Sequence, residues 1–203
     1  MKKAKNALLL ALCAVLLVGA TIAGTLAFLT DTDEVKNTFT VGEIGITLDE
    51  AKVNEYGVPV EGADRVKTNA YKLIPGKTYV KDPKIHVSAN SEDSYIFVCV
   101  QNGLAAYEAA GETTIAKQME AKGWAAVPNT TDVFYKVYNK NTNIVDIEVF
   151  DSFTIASSHE LGADWNAAEN AEITITAYAI QRETMTSVEA AWDIVSAEYA
   201  SQG

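Results

Sequence analysis

From residue 39 onward, hydrophobic and polar residues alternate in short runs, the period of two that marks half-buried strands rather than the three-and-four spacing of helices. Phe39 and Val41 lead into Ile44, Ile46 and Leu48, with Gly42 and Gly45 between them, so a strand with a bulge near Gly42 is expected. Residues 51–69 are polar, contain Gly57, Pro59 and Gly62, and read as a surface loop. Pro75-Gly76 suits the centre of a type II turn, because proline presets the first central φ and glycine accepts the positive second one. Extended runs over 71–74 and 78–80 would then form a tight reversal. Residues 84–87 continue as strand, 90–93 are a polar turn, and 95–100 are apolar on both faces, as a covered central strand requires.

Residues 104–123 break this pattern. Ile115, Ala116 and Met119 fall at helical spacing, and Gly123 is placed to end a short inserted helix in a left-handed conformation. Strands resume over 133–138, 144–150 and 153–156; in the second, Val145, Ile147 and Val149 alternate with Asp146 and Glu148, which leaves one face wet. Over 172–181, Ile173, Ile175, Ala177 and Ala179 alternate with Thr174, Thr176 and Tyr178, a half-buried strand. The period then changes. Thr186 and Glu189 form a capping box, and Val188, Ala191, Trp192, Val195 and Tyr199 line one side of a C-terminal amphipathic helix that docks by Trp192. Eight or nine short strands with at most two helices predict an all-β fold, an antiparallel jelly-roll β-sandwich.

Composition narrows the class. The 203 residues are 48% hydrophobic, enough for a core, and 27 acidic side chains outnumber 16 basic ones for a net charge of −11, which disfavours nucleic acid and anionic lipid as partners. Lys2, Lys3 and Lys5 precede an apolar run from Ala7 to Ala20, the pattern of a signal peptide over residues 1–27. Cleavage after Ala27, with Thr25 and Ala27 as the small recognition residues, would free Phe28; a cut after Ala20 fits the local chemistry nearly as well, and an uncleaved anchor would be the one contact with membrane. Cys13 follows Leu12 in mid-run, which does not suit lipid attachment. The exported part, residues 28–203, would be a single domain with a flexible arm over 28–38. Cys99 would be its only cysteine, a packed small hydrophobe in a strand, so no intramolecular disulfide is expected.

Three stretches resemble the TasA/camelysin family, whose members are cargo of a SipW-type signal peptidase. They are Gly24-Thr-Leu-Ala-Phe-Leu-Thr-Asp-Thr32 followed by Phe39-Thr-Val-Gly42; Leu73-Ile-Pro-Gly-Lys77 leading through Ile85-His-Val87 to residues 95–102; and Ile175-Thr-Ala-Tyr-Ala-Ile-Gln181 with Ala190-Ala-Trp192. The resemblance implies a jelly roll, and a secreted protein of the biofilm matrix or cell surface that associates with itself or with related matrix proteins. Some family members polymerise into fibres. Phe28, Leu29, Phe39 and Val41 are the expected subunit contacts, because an arm freed by cleavage can add as a strand to a neighbour's sheet edge. The alternative is that the arm pairs within its own sheet.

Catalytic chemistry has no visible centre. A helical zinc-protease motif needs two His four apart with Glu between. Only His86 and His159 exist, and position 163, where His159-Glu160 would need a second His, is Ala. His86, between Ile85 and Val87, is expected to be solvent-facing or hydrogen-bonded rather than a ligand. Asp31, Asp33 and Glu34 lack the rest of a calcium loop. No cofactor is expected. The main alternative function is a monomeric surface binding module for carbohydrate or protein, using loop 51–69 and stacking on Tyr107, Trp124 or Trp165; a camelysin-like metallopeptidase is a third.

Overall fold

A computed structural model describes residues 30–32, 44–142, 144–157 and 171–202. The expected signal segment 1–27 and its cleavage residues Thr25, Ala27 and Phe28 lie outside them, as do Leu29, Phe39, Val41, Gly42, His159 and Trp165. The described strands are β1 (Thr30–Thr32), β2 (Ile46–Asp49), β3 (Thr78–Val80), β4 (Lys84–Val87), β5 (Ser94–Asn102), β6 (Ala125–Ala126), β7 (Val133–Tyr138), β8 (Asp146–Glu148), β9 (Ser152–Thr154) and β10 (Ile173–Gln181). Two α-helices accompany them, α1 (Ile115–Ala121) and α2 (Val188–Gln202). The described part is all-β, and every strand pairing within it is antiparallel.

The largest sheet runs β1-β10-β5-β7-β6, with a three-stranded sheet β2-β4-β8 and a pair β3-β9 beside it. β5 is the middle strand, and Ile96, Phe97 and Val98 are all buried, as its two-sided apolar pattern requires. Ile96, Val98, Val100, Ala177 and Ala179 share one core with Ile46, Ile85, Val87 and Ile147 of the second sheet and with Tyr79 and Phe153 of β3 and β9. Ile115 and Met119 plug α1 into the same core, and Gly123, at φ 80°, ends the helix as its position suggested.

The opposite face of the large sheet is covered too. Phe97, Tyr178 and Ile180 form a second core with Ala191 and Val195 of α2, and Trp192 lies 5.3 Å from the Phe97 ring and 6.2 Å from that of Tyr178. The strand expected to be half-buried is therefore roofed over its C-terminal half, where Tyr178 has no exposed surface, while Thr174 remains exposed. The cap also differs from expectation: Ser187, not Thr186, accepts the backbone N–H of Ala190 at 3.2 Å.

Gly76 has φ 77° and the Lys77 amide bonds the Ile74 carbonyl at 3.2 Å, so the Pro75-Gly76 turn forms. The arms of the expected reversal do not pair as strands. β3 pairs with β9 instead, and residues 71–74 are tied through side chains: the Tyr79 hydroxyl donates to the Lys72 carbonyl at 2.7 Å and accepts from the Ile74 amide at 2.6 Å. Within the arm expected over 28–38, Thr30–Thr32 is a strand on the edge of β10, with Thr30, Asp31 and Thr32 opposite Ile180, Ala179 and Tyr178.

Candidate functional site

β2 brings two carboxylates side by side in sequence and sends them to opposite sides. Ile46, Leu48 and Glu50 share the inward register, whereas Asp49 faces out. Likewise Tyr79 is fully buried at the centre of β3, and Lys81, two residues on, follows it inward. Each strand thus ends its apolar row on a charge, and the two charges meet: Lys81 Nζ donates to Glu50 Oε2 at 2.6 Å, with the residues 9% and 4% exposed. An ion pair this buried gives up most of its attraction to desolvation, and well-packed apolar residues would serve stability as well.

Asn69 completes the cluster. Its Nδ2 donates to Glu50 Oε1 at 3.0 Å and to the Ala51 carbonyl at 2.9 Å, and its Oδ1 accepts the Val53 amide at 3.0 Å. One carboxylate therefore holds an amine on one oxygen and a carboxamide on the other. Tyr71 sits alongside; burial, with the charges of Glu50 and Asp82, raises its phenol well above the usual range. Glu50, Asn69, Tyr71 and Lys81 line a cleft of about 1070 Å³ together with Leu48, Leu73, Phe153 and Ile173.

On the outer side of β2, Asp49 Oδ1 accepts both from Arg65 Nε and from His86 Nε2, the latter at 3.0 Å. Arg65 also reaches Asp82 Oδ2 at 2.9 Å and the Asp82 carbonyl at 2.8 Å, and Asp82 Oδ1 receives the Ala51 amide at 2.7 Å. His86 lies opposite Asp146 across the β4–β8 ladder, and its Nδ1 meets Asp146 Oδ1 at 2.7 Å. Burial opposes the charged imidazole, but the hydrogen bonds and charges of Asp49 and Asp146 outweigh it and raise the His86 pKa. Burial likewise opposes the Asp49 carboxylate, and its bonds to Arg65 and His86 overcome that and lower its pKa. The two carboxylates occupy opposite ring nitrogens, so they cannot share one ion with either; among the described residues no group of three His, Cys, Asp or Glu side chains is placed to hold a metal.

Loop 51–69 is thus not the plain surface loop its composition suggests. Val53 is buried, Glu50 and Val66 exchange backbone hydrogen bonds at 2.8 and 2.7 Å, and Arg65 and Asn69 bolt it to β2 and to the β3–β4 connection. Trp124 is buried, donating Nε1–H to the Glu148 carbonyl at 2.9 Å under Lys136, so it offers no face for stacking a ligand; Tyr107 packs half-buried on the core. Cys99 is partly buried in β5, and burial pushes its thiol up to about 12, where it is unreactive. The Glu50–Asn69–Lys81 cluster had one trace in the sequence, charged residues at inward positions of alternating runs. Set against protein-family models, curated proteins and solved structures, the chain matches none of them.

Proposed function

We propose that the protein is a secreted, non-enzymatic structural subunit of the extracellular matrix or cell surface, a jelly roll that joins its own kind by strand addition from the N-terminal arm after a SipW-type peptidase has removed residues 1–27. The observation that carries the reading is the position of β1: the described residues of the arm, Thr30–Thr32, lie at the edge of the large sheet beside Tyr178–Ile180 of β10, a pairing within the chain's own sheet that strand addition would exchange for the same pairing with a neighbour. The β10 edge that receives this segment is a template for the same segment of a neighbour. The resemblance to the TasA/camelysin family supports the same reading.

The test is assembly of residues 28–203 with Phe28 as the true N-terminus, followed by sedimentation and electron microscopy over days. Polymers are expected from this form and not from one carrying extra residues ahead of Phe28 or lacking residues 28–37. A persistent monomer that takes up carbohydrate or peptide saturably would replace this reading with the binding module.

A further inference from the structure

We propose that Lys81 and Asn69 become joined by an intramolecular amide bond, formed by the protein itself with Glu50 as the proton carrier. This goes beyond the structural role above and does not depend on it. The three groups that such a reaction needs are present, each in contact with the next: a nucleophilic amine on Glu50 Oε2 at 2.6 Å, a carboxamide on Glu50 Oε1 at 3.0 Å, and an N–H donor, Val53, 3.0 Å from the oxygen on which charge would develop. Three hydrogen bonds fix the orientation of the Asn69 amide, so its carbon and its leaving nitrogen are defined. Glu50 and Lys81 are buried and Asn69 is partly so, which limits competing hydrolysis by water.

The reaction balances without any co-reactant. The Lys81 ammonium passes one proton to Glu50, and the free amine attacks Asn69 Cγ to form the new C–N bond, with the oxygen held by the Val53 N–H. Glu50 then gives a proton to Nδ2 and takes one from the attacking nitrogen as the Cγ–Nδ2 bond breaks. Ammonia leaves through the cleft that the three residues line. The product keeps one amide N–H, and Glu50 ends as the neutral acid. Lys81 and Glu50 sit at inward positions that would otherwise take apolar side chains, which this chemistry accounts for and stability alone does not.

The closure would tie the end of loop 50–69 to the connection between β3 and β4, a covalent staple in a chain whose single described cysteine is unpaired. The experiment is tryptic peptide mapping of the full chain by mass spectrometry. The expected result is a branched species in which residues 68–72 are joined to 78–84, uncut at Lys81 and lighter by one ammonia than the two peptides together. Recovery of both segments as linear peptides of full mass overturns the proposal, and so does ammonia loss confined to linear 68–72, which signifies a succinimide at Asn69. Glu50→Gln should slow branch formation roughly 100-fold, and undiminished branching would remove Glu50 from the reaction. Lys81→Arg keeps the charge facing Glu50 but not the nucleophile, so a branch persisting in it would overturn the assignment of Lys81. Because the map of the unmutated chain decides the question, a variant that fails to fold does not leave it open.

Discussion

At the scale of single residues, His86 shows how one side chain can couple three strands. It sits on β4 and binds Asp49 of β2 and Asp146 of β8, with Arg65, Asp82, Lys84 and Glu148 as the neighbouring charges on that side. Its pKa is raised in the folded protein, so the stability that the charged imidazole contributes is complete below the ordinary histidine value and disappears as pH climbs through the raised one. Asp49 works in the other sense: its lowered pKa contributes above the ordinary carboxylate value and is lost as pH falls through the depressed one. The β2-β4-β8 sheet should therefore be firmest in mildly acidic solution. Thermal melts of His86→Gln at about pH 5 and about pH 8 should show the drop seen in the unmutated protein shrink by roughly 1–3 °C; an unchanged difference would exclude the imidazole as its source. The sequence reading of a hydrogen-bonded imidazole matches this geometry, but its partners lie 37 and 60 residues away and no local pattern announces them. The same holds for Glu50 and Lys81, separated by 31 residues.

At the scale of elements, legibility followed the strength of the period. β5, β10, β4 and α1 stand where alternation, helical spacing and the Gly123 stop placed them. Failures came where a tertiary partner decides. Tyr178 looks like the wet side of β10 until α2 lies on it, and residues 71–74 look like a hairpin arm until Tyr79 claims their backbone. The cap slipped by one residue because Thr186 and Ser187 are chemically equivalent candidates and only the helix geometry chooses. Trp192 is the principal anchor of α2, in contact with both Phe97 and Tyr178. Trp192→Ala should cost about 2–3 kcal/mol in denaturant unfolding and expose the C-terminal segment to protease. Ser187→Ala should cost about 1 kcal/mol without that exposure. Equal protease resistance in both variants would mean that the helix is held by something other than its tryptophan.

At the scale of the whole molecule, charge and shape set different limits on association. Without Lys2, Lys3 and Lys5, subunits beginning at Phe28 carry 13 basic and 27 acidic side chains, a net charge of −14; they repel one another, and that repulsion is screened over about 10 Å at 0.1 M salt. Assembly of the form beginning at Phe28 should therefore speed up severalfold between about 0.01 M and 0.15 M salt, as followed by light scattering, with chelator making no difference if screening is the whole effect. A rate independent of salt would show that the slow step is the release of β1 from its own sheet rather than encounter. Shape imposes a stricter rule. The large sheet has one side against the shared core and the other packed in part under α2; of the exposed large apolar residues described, Val137, opposite Tyr95 on β7, lies on that second side, and Tyr56, Val58, Val60, Ile74, Ile144 and Val145 lie off the sheet. Among the described residues, both faces of the large sheet are mostly taken, one by the shared core and one by α2. On the proposed strand-addition role, growth goes through the rims, one strand edge at a time, and the object such a subunit would build is a thread of constant calibre rather than a lamina or a clump.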